Sequence, residues 1–272
     1  MHIAATLTLQ AFLRSELRQA QHWQKALQQS SDPENVHQLR VCIRKIRTAL
    51  RLSKPILKHR YRQRWQMRFR DAAKQLDKAR DLDVLLLTIS PDKALQKQLK
   101  KQQKKTYKTL RKNLHTAPFS QWQKLSRQLK QPVWIKQRCR KRKLGLKPFA
   151  AGQLEPLYQQ IEQAHGRLYT LDEEALHRLR IQCKQLRYAC EFVEAALSPH
   201  NMAPFLSALQ GLQDSLGAVH DANVQQSLLA DCPTVQQSEI AAVLSADGRK
   251  DIATELGDFL RLSKPWSSLR RK

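Results

Sequence analysis

Carboxylates are scarce in the first half of this chain. Residues 1–140 hold 8 Asp and Glu against 33 Lys and Arg, a net of +25, whereas residues 141–272 hold 15 against 16, a net of +1. A field that lopsided attracts polyanions such as nucleic acid, polyphosphate or an acidic membrane surface. Glycine is scarce as well, with 7 in 272 residues. There is no Walker loop, no glycine-rich phosphate cradle and no carboxylate cluster to hold Mg²⁺, so the sequence speaks for a binder and not an enzyme. The five cysteines, Cys42, Cys139, Cys183, Cys190 and Cys232, contain no CxxC pair. That disfavours a metal finger or a disulfide framework and fits a reducing cytoplasm. Cys42, Cys183 and Cys190 fall on apolar helix faces and are expected to act as small hydrophobes. No run of about 18 apolar residues is present, so no membrane span is expected, and the N-terminal stretch has no secretory pattern. No cofactor is called for.

What the chain has in quantity is Leu, Gln, Lys, Arg and Ala, a helix-forming mixture. Turn signals divide it into helices over about 4–29, 33–53, 57–88 and 91–116, a shorter piece over 119–130, and then 153–168, 172–196, 201–229 and 234–262. The stretch QPVWIKQRCRKRKLGLKPFAAG, 131–152, carries two prolines, two glycines and a basic cluster and reads as a linker. The expectation is an all-α domain over 5–262, with a strongly basic helical bundle at 5–130, the linker at 131–152, a second bundle at 153–262 and a basic tail at 263–272. The clusters KQRCRKRK (136–143) and LRRK (269–272) are expected to be flexible and solvated, adding avidity for long polyanions.

One spacing recurs. His37 and His177 are 140 residues apart, and so are Arg40 and Arg180, Arg44 and Lys184, and Arg47 and Arg187. The same offset carries LDKARDLDV (76–84) onto LGAVHDANV (216–224) and Asp32, an N-cap before Pro33, onto Asp172. Two motifs sharing one offset argue for duplicated halves, each a four-helix bundle.

On a helical wheel His37, Arg40, Arg44, Arg47 and Arg51 share a stripe about 80° wide, with Leu39, Cys42, Ile43, Ile46, Ala49 and Leu50 opposite. His177, Arg180, Lys184 and Arg187 form the same stripe against Leu179, Cys183, Leu186, Ala189 and Cys190, with Tyr188 beside it. A charge run is usually a solvated face, and the Lys-rich 93–114 segment reads that way. The stripes differ in three respects. Their like charges stand at i,i+3 and i,i+4 without interleaved acids. Arginine, whose planar fork suits phosphate oxygens, dominates. Between Lys147 and Arg249 there are only five basic residues, four of them within Arg178–Arg187.

Two H-x-x-R-x-x-x-[R/K]-x-x-R helices, each followed 43 residues after its histidine by [R/H]-D-x-[D/N]-V, resemble the CHAD family, the conserved-histidine α-helical domain. The resemblance covers about residues 5–262. It implies two four-helix bundles related by pseudo-twofold symmetry, with basic ridges facing each other across a central pore. It implies binding of inorganic polyphosphate there, or of sulfate or phosphate ions, and an association with polyphosphate granules. A triphosphate-tunnel domain often accompanies such a chain, and a stand-alone module is expected here, as a monomer or weak dimer. Carried over by position, the resemblance makes phosphate ligands of His37, Arg40, Arg44, Arg47, His177, Arg180, Lys184 and Arg187. Arg51 extends the first stripe, although its counterpart is Glu191. Tyr188 could donate its hydroxyl, and Lys74 and Lys78 could extend the cationic surface.

The second motif admits two readings. Arg80 with Asp83, and His220 with Asn223, fall on an inward face with Phe69, Ala72, Ala73, Leu76, Ala79, Val84 and Leu87, and could be buried polar pairs at i,i+3 that fix packing. Asp81 and Asp221 face away and could orient the stripe's arginines from behind. A metal site is disfavoured, because neither His37 nor His177 has a ligating residue at i+4 and arginines repel a cation. Nucleic acid is the alternative ligand, favoured by a sequence pI near 10.3. It is disfavoured by stripes that offer no aromatic surface except Tyr188.

Overall fold

The computed structural model describes residues 4–88, 93–141, 144–197, 199–229 and 246–270. Every regular element among them is helical, and the fold is all-α. The chain divides into two compact units, 1–144 and 145–272.

In the first unit four long helices follow one another: α1 (Ala5–Gln29), α2 (Pro33–Leu52), α3 (His59–Thr88) and α4 (Lys93–Asn113). Each packs on the next, and α1 also meets the short α5 (Trp122–Gln128). Spacing dictates which faces meet: Leu9, Leu13, Leu17, Ala20 and Leu27 recur at helical intervals on α1, and all are buried. Phe69 of α3 stacks on Trp122 with ring centroids 5.7 Å apart, and Trp65 lies 6.2 Å from Trp134.

Trp134 and Ile135 belong to the stretch read as a linker, and both are buried. The backbone there is fastened to the α2–α3 turn. Lys58 N donates to the Trp134 carbonyl at 3.0 Å, and Lys136 N donates to the Ile56 carbonyl at 2.9 Å. A helical turn, α6 (Gln137–Lys141), follows, and Lys136 Nζ donates to the Lys54 carbonyl at 2.8 Å. The 131–152 stretch read as a linker is therefore docked on the first unit at residues 134–136, and within the cluster expected to be flexible and solvated, 136–143, residues 137–141 form that helical turn. The stretch's prolines and glycines were read as breakers, while the apolar pair at 134–135 supplied an anchor.

The second unit repeats the order of neighbours with α7 (Leu146–Glu162), α8 (Glu173–Val193), α9 (Pro199–Leu229) and α10 (Ala246–Arg261). Helix α7 begins at Leu146, seven residues before the predicted 153, because Leu146, Phe149, Ala150, Ala151 and Leu154 bury one side of it. The core gathers Tyr158, Phe205, Phe259 and Trp266, with Phe205 and Phe259 rings 4.8 Å apart. The stretch read as a basic tail, 263–272, begins inside the core: Trp266 is fully buried and donates through Nε1 to Glu155 Oε2 at 2.8 Å, while Lys264 Nζ reaches Glu155 Oε1 at 3.2 Å. Arg271 and Lys272 of the LRRK cluster lie outside the described residues. Cys42, Cys183 and Cys190 are buried, and burial pushes the Cys42 and Cys183 thiols up to about 12. No helix among the described residues is long and apolar enough to cross a membrane. Cys232 lies outside the described residues.

Candidate functional site

Helix α2 starts where the sequence directs: the Asp32 side chain accepts from Glu34 N at 2.9 Å and Pro33 opens the first turn. Its buried face is Val36, Leu39, Cys42, Ile43, Ile46, Ala49 and Leu50. His37, Arg40, Arg44 and Arg47 stand half-buried on the other side, and Arg51 is exposed. Helix α8 is built alike. Asp172 accepts from Ala175 N at 2.7 Å, Leu176, Leu179, Cys183, Leu186 and Ala189 are buried, and His177, Arg180, Lys184 and Arg187 are half-buried. Ten residues from histidine to last arginine, at about 1.5 Å each, spread the donors of either ridge over about 15 Å.

Helix α3 backs the first ridge. Arg40 Nη1 is ion-paired with Asp77 Oδ1. Burial lowers the His37 pKa first, and the positive charge of Arg80 lowers it further, with Arg44 and Arg40 adding to the effect and Glu34 opposing it. Burial and the charges of Arg70 and Arg44 lower the pKa of Arg47, with Asp77 opposing. Arg70 and Arg80 thus belong with the ridge.

Three expectations change. Asp83 is 2% exposed and accepts from Tyr107 Oη and Gln103 Nε2, each at 2.7 Å, so α4 and not Arg80 satisfies it. Arg80 instead lends its charge to the ridge beside His37. Leu87, assigned to the inward face, is 80% exposed. Tyr188 is buried: its hydroxyl accepts from Arg187 Nη2 at 3.1 Å, and the guanidinium carbon lies 4.9 Å from its ring centroid. The tyrosine therefore props Arg187 and does not project beside it. Lys74, Lys78 and Asp81 are exposed, and Asp81 has Arg40, Asp77 and Arg80 as charged neighbours. The side chains of His220, Asp221 and Asn223 lie outside the described residues.

On the second ridge Arg187 Nη1 donates to Gln210 Oε1, and Gln210 Nε2 donates to Asp214 Oδ1 at 2.7 Å. Glu191, where the first ridge has Arg51, lies 3.9 Å from Arg187 Nε. The sequence reading missed Arg70, Asp77, Gln210 and Gly217. Asp77 and Gly217 already lie inside the paired stretches 76–84 and 216–224, and extending that alignment six residues back along the third helix of each half reaches Arg70 and Gln210. Among the described residues no group of three or more His, Cys, Asp or Glu could hold a metal ion.

The family model of the CHAD domain matches residues 11–230. The chain belongs to the CHAD family. Among solved structures, this CHAD protein is similar to the crystal structure of the CHAD domain from the plant Ricinus communis. The TM-score is 0.71 at 22% identity, over 99% of this chain and 91% of that one. It is also similar to PptA from Streptomyces chartreusis, with a TM-score of 0.60 at 15% identity, over 99% of this chain and 100% of that one. At these identities the likeness carries the fold. No curated protein matches the sequence.

Proposed function

We propose that this CHAD protein binds inorganic polyphosphate through the ridges of α2 and α8 without catalysing its turnover, and that in the cytoplasm it associates with polyphosphate granules. One observation carries the reading. Both helices bury an apolar face and hold a histidine and three cations half-buried on the opposite side, with Arg47 and Arg180 Nε atoms shielded from water and unpartnered among the described residues. A desolvated guanidinium without an acceptor is costly, and a phosphate oxygen removes that cost. Polyphosphate carries about one charge per phosphate and no bases, so it asks for closely spaced donors and nothing to stack upon. The family's association with polyphosphate supports the same ligand.

Nucleic acid is the second reading, on the strength of a net charge of +26. Calorimetric titration with short polyphosphates tests the first. The wild type binds, and Arg44→Glu with Arg180→Glu loses most of the affinity while keeping helical circular dichroism. In competition at physiological salt and equal phosphate concentration, polyphosphate displaces DNA or RNA. A wild type that ignores polyphosphate, or nucleic acid that wins the competition, overturns the proposal.

A further inference from the structure

The offset that pairs the ridges also pairs the residues facing them from α3 and α9, and at two positions the partners differ. Asp77 corresponds to Gly217, and Arg70 to Gln210. In the first unit Asp77 engages Arg40. In the second unit Arg180, the counterpart of Arg40, lies over Gly217, where an added Cβ would come 3.3 Å from Nη2 and 3.6 Å from Nε. No carboxylate can stand at position 217 without meeting that guanidinium. Arg180 Nε is buried and unpartnered among the described residues.

At the other end of the ridges the relation reverses. Arg187 is held by Gln210 and by the Tyr188 hydroxyl. Arg47, its counterpart, faces a cation. Gln66 Nε2 donates to the Arg47 carbonyl at 2.8 Å, which sets this turn of α3 against it, and Arg70 follows one turn later with its positive charge. Arg47 Nε is likewise buried and unpartnered among the described residues. Arg187 Nε is also buried without a hydrogen-bond partner among them, and what sets the two arginines apart is that Arg187 is held at both terminal nitrogens, by Gln210 and by the Tyr188 hydroxyl.

We propose that positions 77 and 217, and 70 and 210, decide which arginine of each ridge takes an anion. In the first unit it is Arg47 with Arg70 beside it, and in the second it is Arg180, while Arg40 and Arg187 are positioning residues. The inference rests on the phosphate-binding reading above. An arginine already engaged by a carboxylate or amide exchanges one hydrogen bond for another when phosphate arrives. A half-buried arginine without an acceptor gains the whole of a charge-assisted bond. The ligand is a polyphosphate oxyanion, and the strong contacts lie at opposite ends of the two helices.

Titration with tripolyphosphate at physiological salt tests the assignment. Gly217→Asp, which gives Arg180 the partner Arg40 already has, weakens binding about tenfold, whereas Gly217→Ala, which adds the Cβ without an acceptor, leaves it near wild type. Arg70→Gln, which reproduces the second unit's arrangement around Arg47, also weakens it about tenfold. Asp77→Ala releases Arg40 and tightens binding severalfold more than Asp258→Ala, the same charge change on an exposed carboxylate of α10. Equal affinities for the two Gly217 variants, or equal gains for the two carboxylate variants, overturn the inference and leave the phosphate-binding reading standing. A wild type without affinity overturns both. If circular dichroism shows Gly217→Asp unfolded, Asp77→Ala against its control decides.

Discussion

His37 is a histidine among arginines, and its proton is the most exposed to change. Burial and the charges of Arg80, Arg44 and Arg40 favour the neutral ring, so its pKa lies below the ordinary 6.5 in the free protein. A bound polyanion works in the opposite direction and raises it. Loading therefore takes up a proton, and affinity tightens as pH falls from about 8 to about 6. His37→Gln flattens that dependence, and titrations across the range check it. Folding responds with the opposite sign: the unfolded chain protonates this ring more readily, so its contribution to stability declines as pH falls through the ordinary histidine range. Asp83 is a different residue-scale case. Burial and the neighbouring Asp83 carboxylate both raise the Tyr107 pKa, which keeps the hydroxyl protonated and donating. Asp83→Ala leaves that buried hydroxyl without an acceptor, at a cost of about 1–3 kcal/mol measured by urea denaturation.

At the scale of the element, α2 and α8 were legible because their signals were local and redundant. Asp32 before Pro33, and Asp172 before two glutamates, marked the starts, and the wheel separated the core face from the cationic one. Asp32→Ala should cost about 1 kcal/mol of stability in a denaturant titration, with the ridge side chains unchanged. What the sequence concealed was tertiary. Nothing around Asp83 reveals that its acceptor oxygens serve Tyr107 and Gln103, twenty or more residues later. Nor does the wheel angle of Tyr188 say whether its ring leans outward or tucks under Arg187. The 131–152 stretch was misread for a related reason. Breaker residues announce where a helix stops, but whether the intervening chain floats or docks depends on the surface waiting for Trp134 and Leu146. The site was legible as a pattern of cations and illegible as a pattern of their partners. Arg70 and Gln210 lie outside the repeated motifs, and Asp77 and Gly217 lie inside the second one at a position where its two copies differ.

At the scale of the molecule, charge and core are arranged separately. The first unit carries all of the excess positive charge, +28 over residues 1–144 against −2 over 145–272, yet each unit closes an aromatic core from its own residues. In the second unit that core depends on Trp266, which packs 5.4 Å from Phe205 and 5.9 Å from Tyr158. Trp266→Ala should cost about 3–5 kcal/mol, seen as a lower transition for the second unit in differential scanning calorimetry. The position of that tryptophan bears on how the protein comes into being. Glu155 and Tyr158 emerge during translation more than a hundred residues ahead of the indole they are waiting for, whereas the residues of the first unit end at 144. Synthesis therefore delivers every residue of the highly cationic first unit while the second still lacks its keystone. In that interval a strongly cationic nascent chain meets the ribosome's own polyanionic surface.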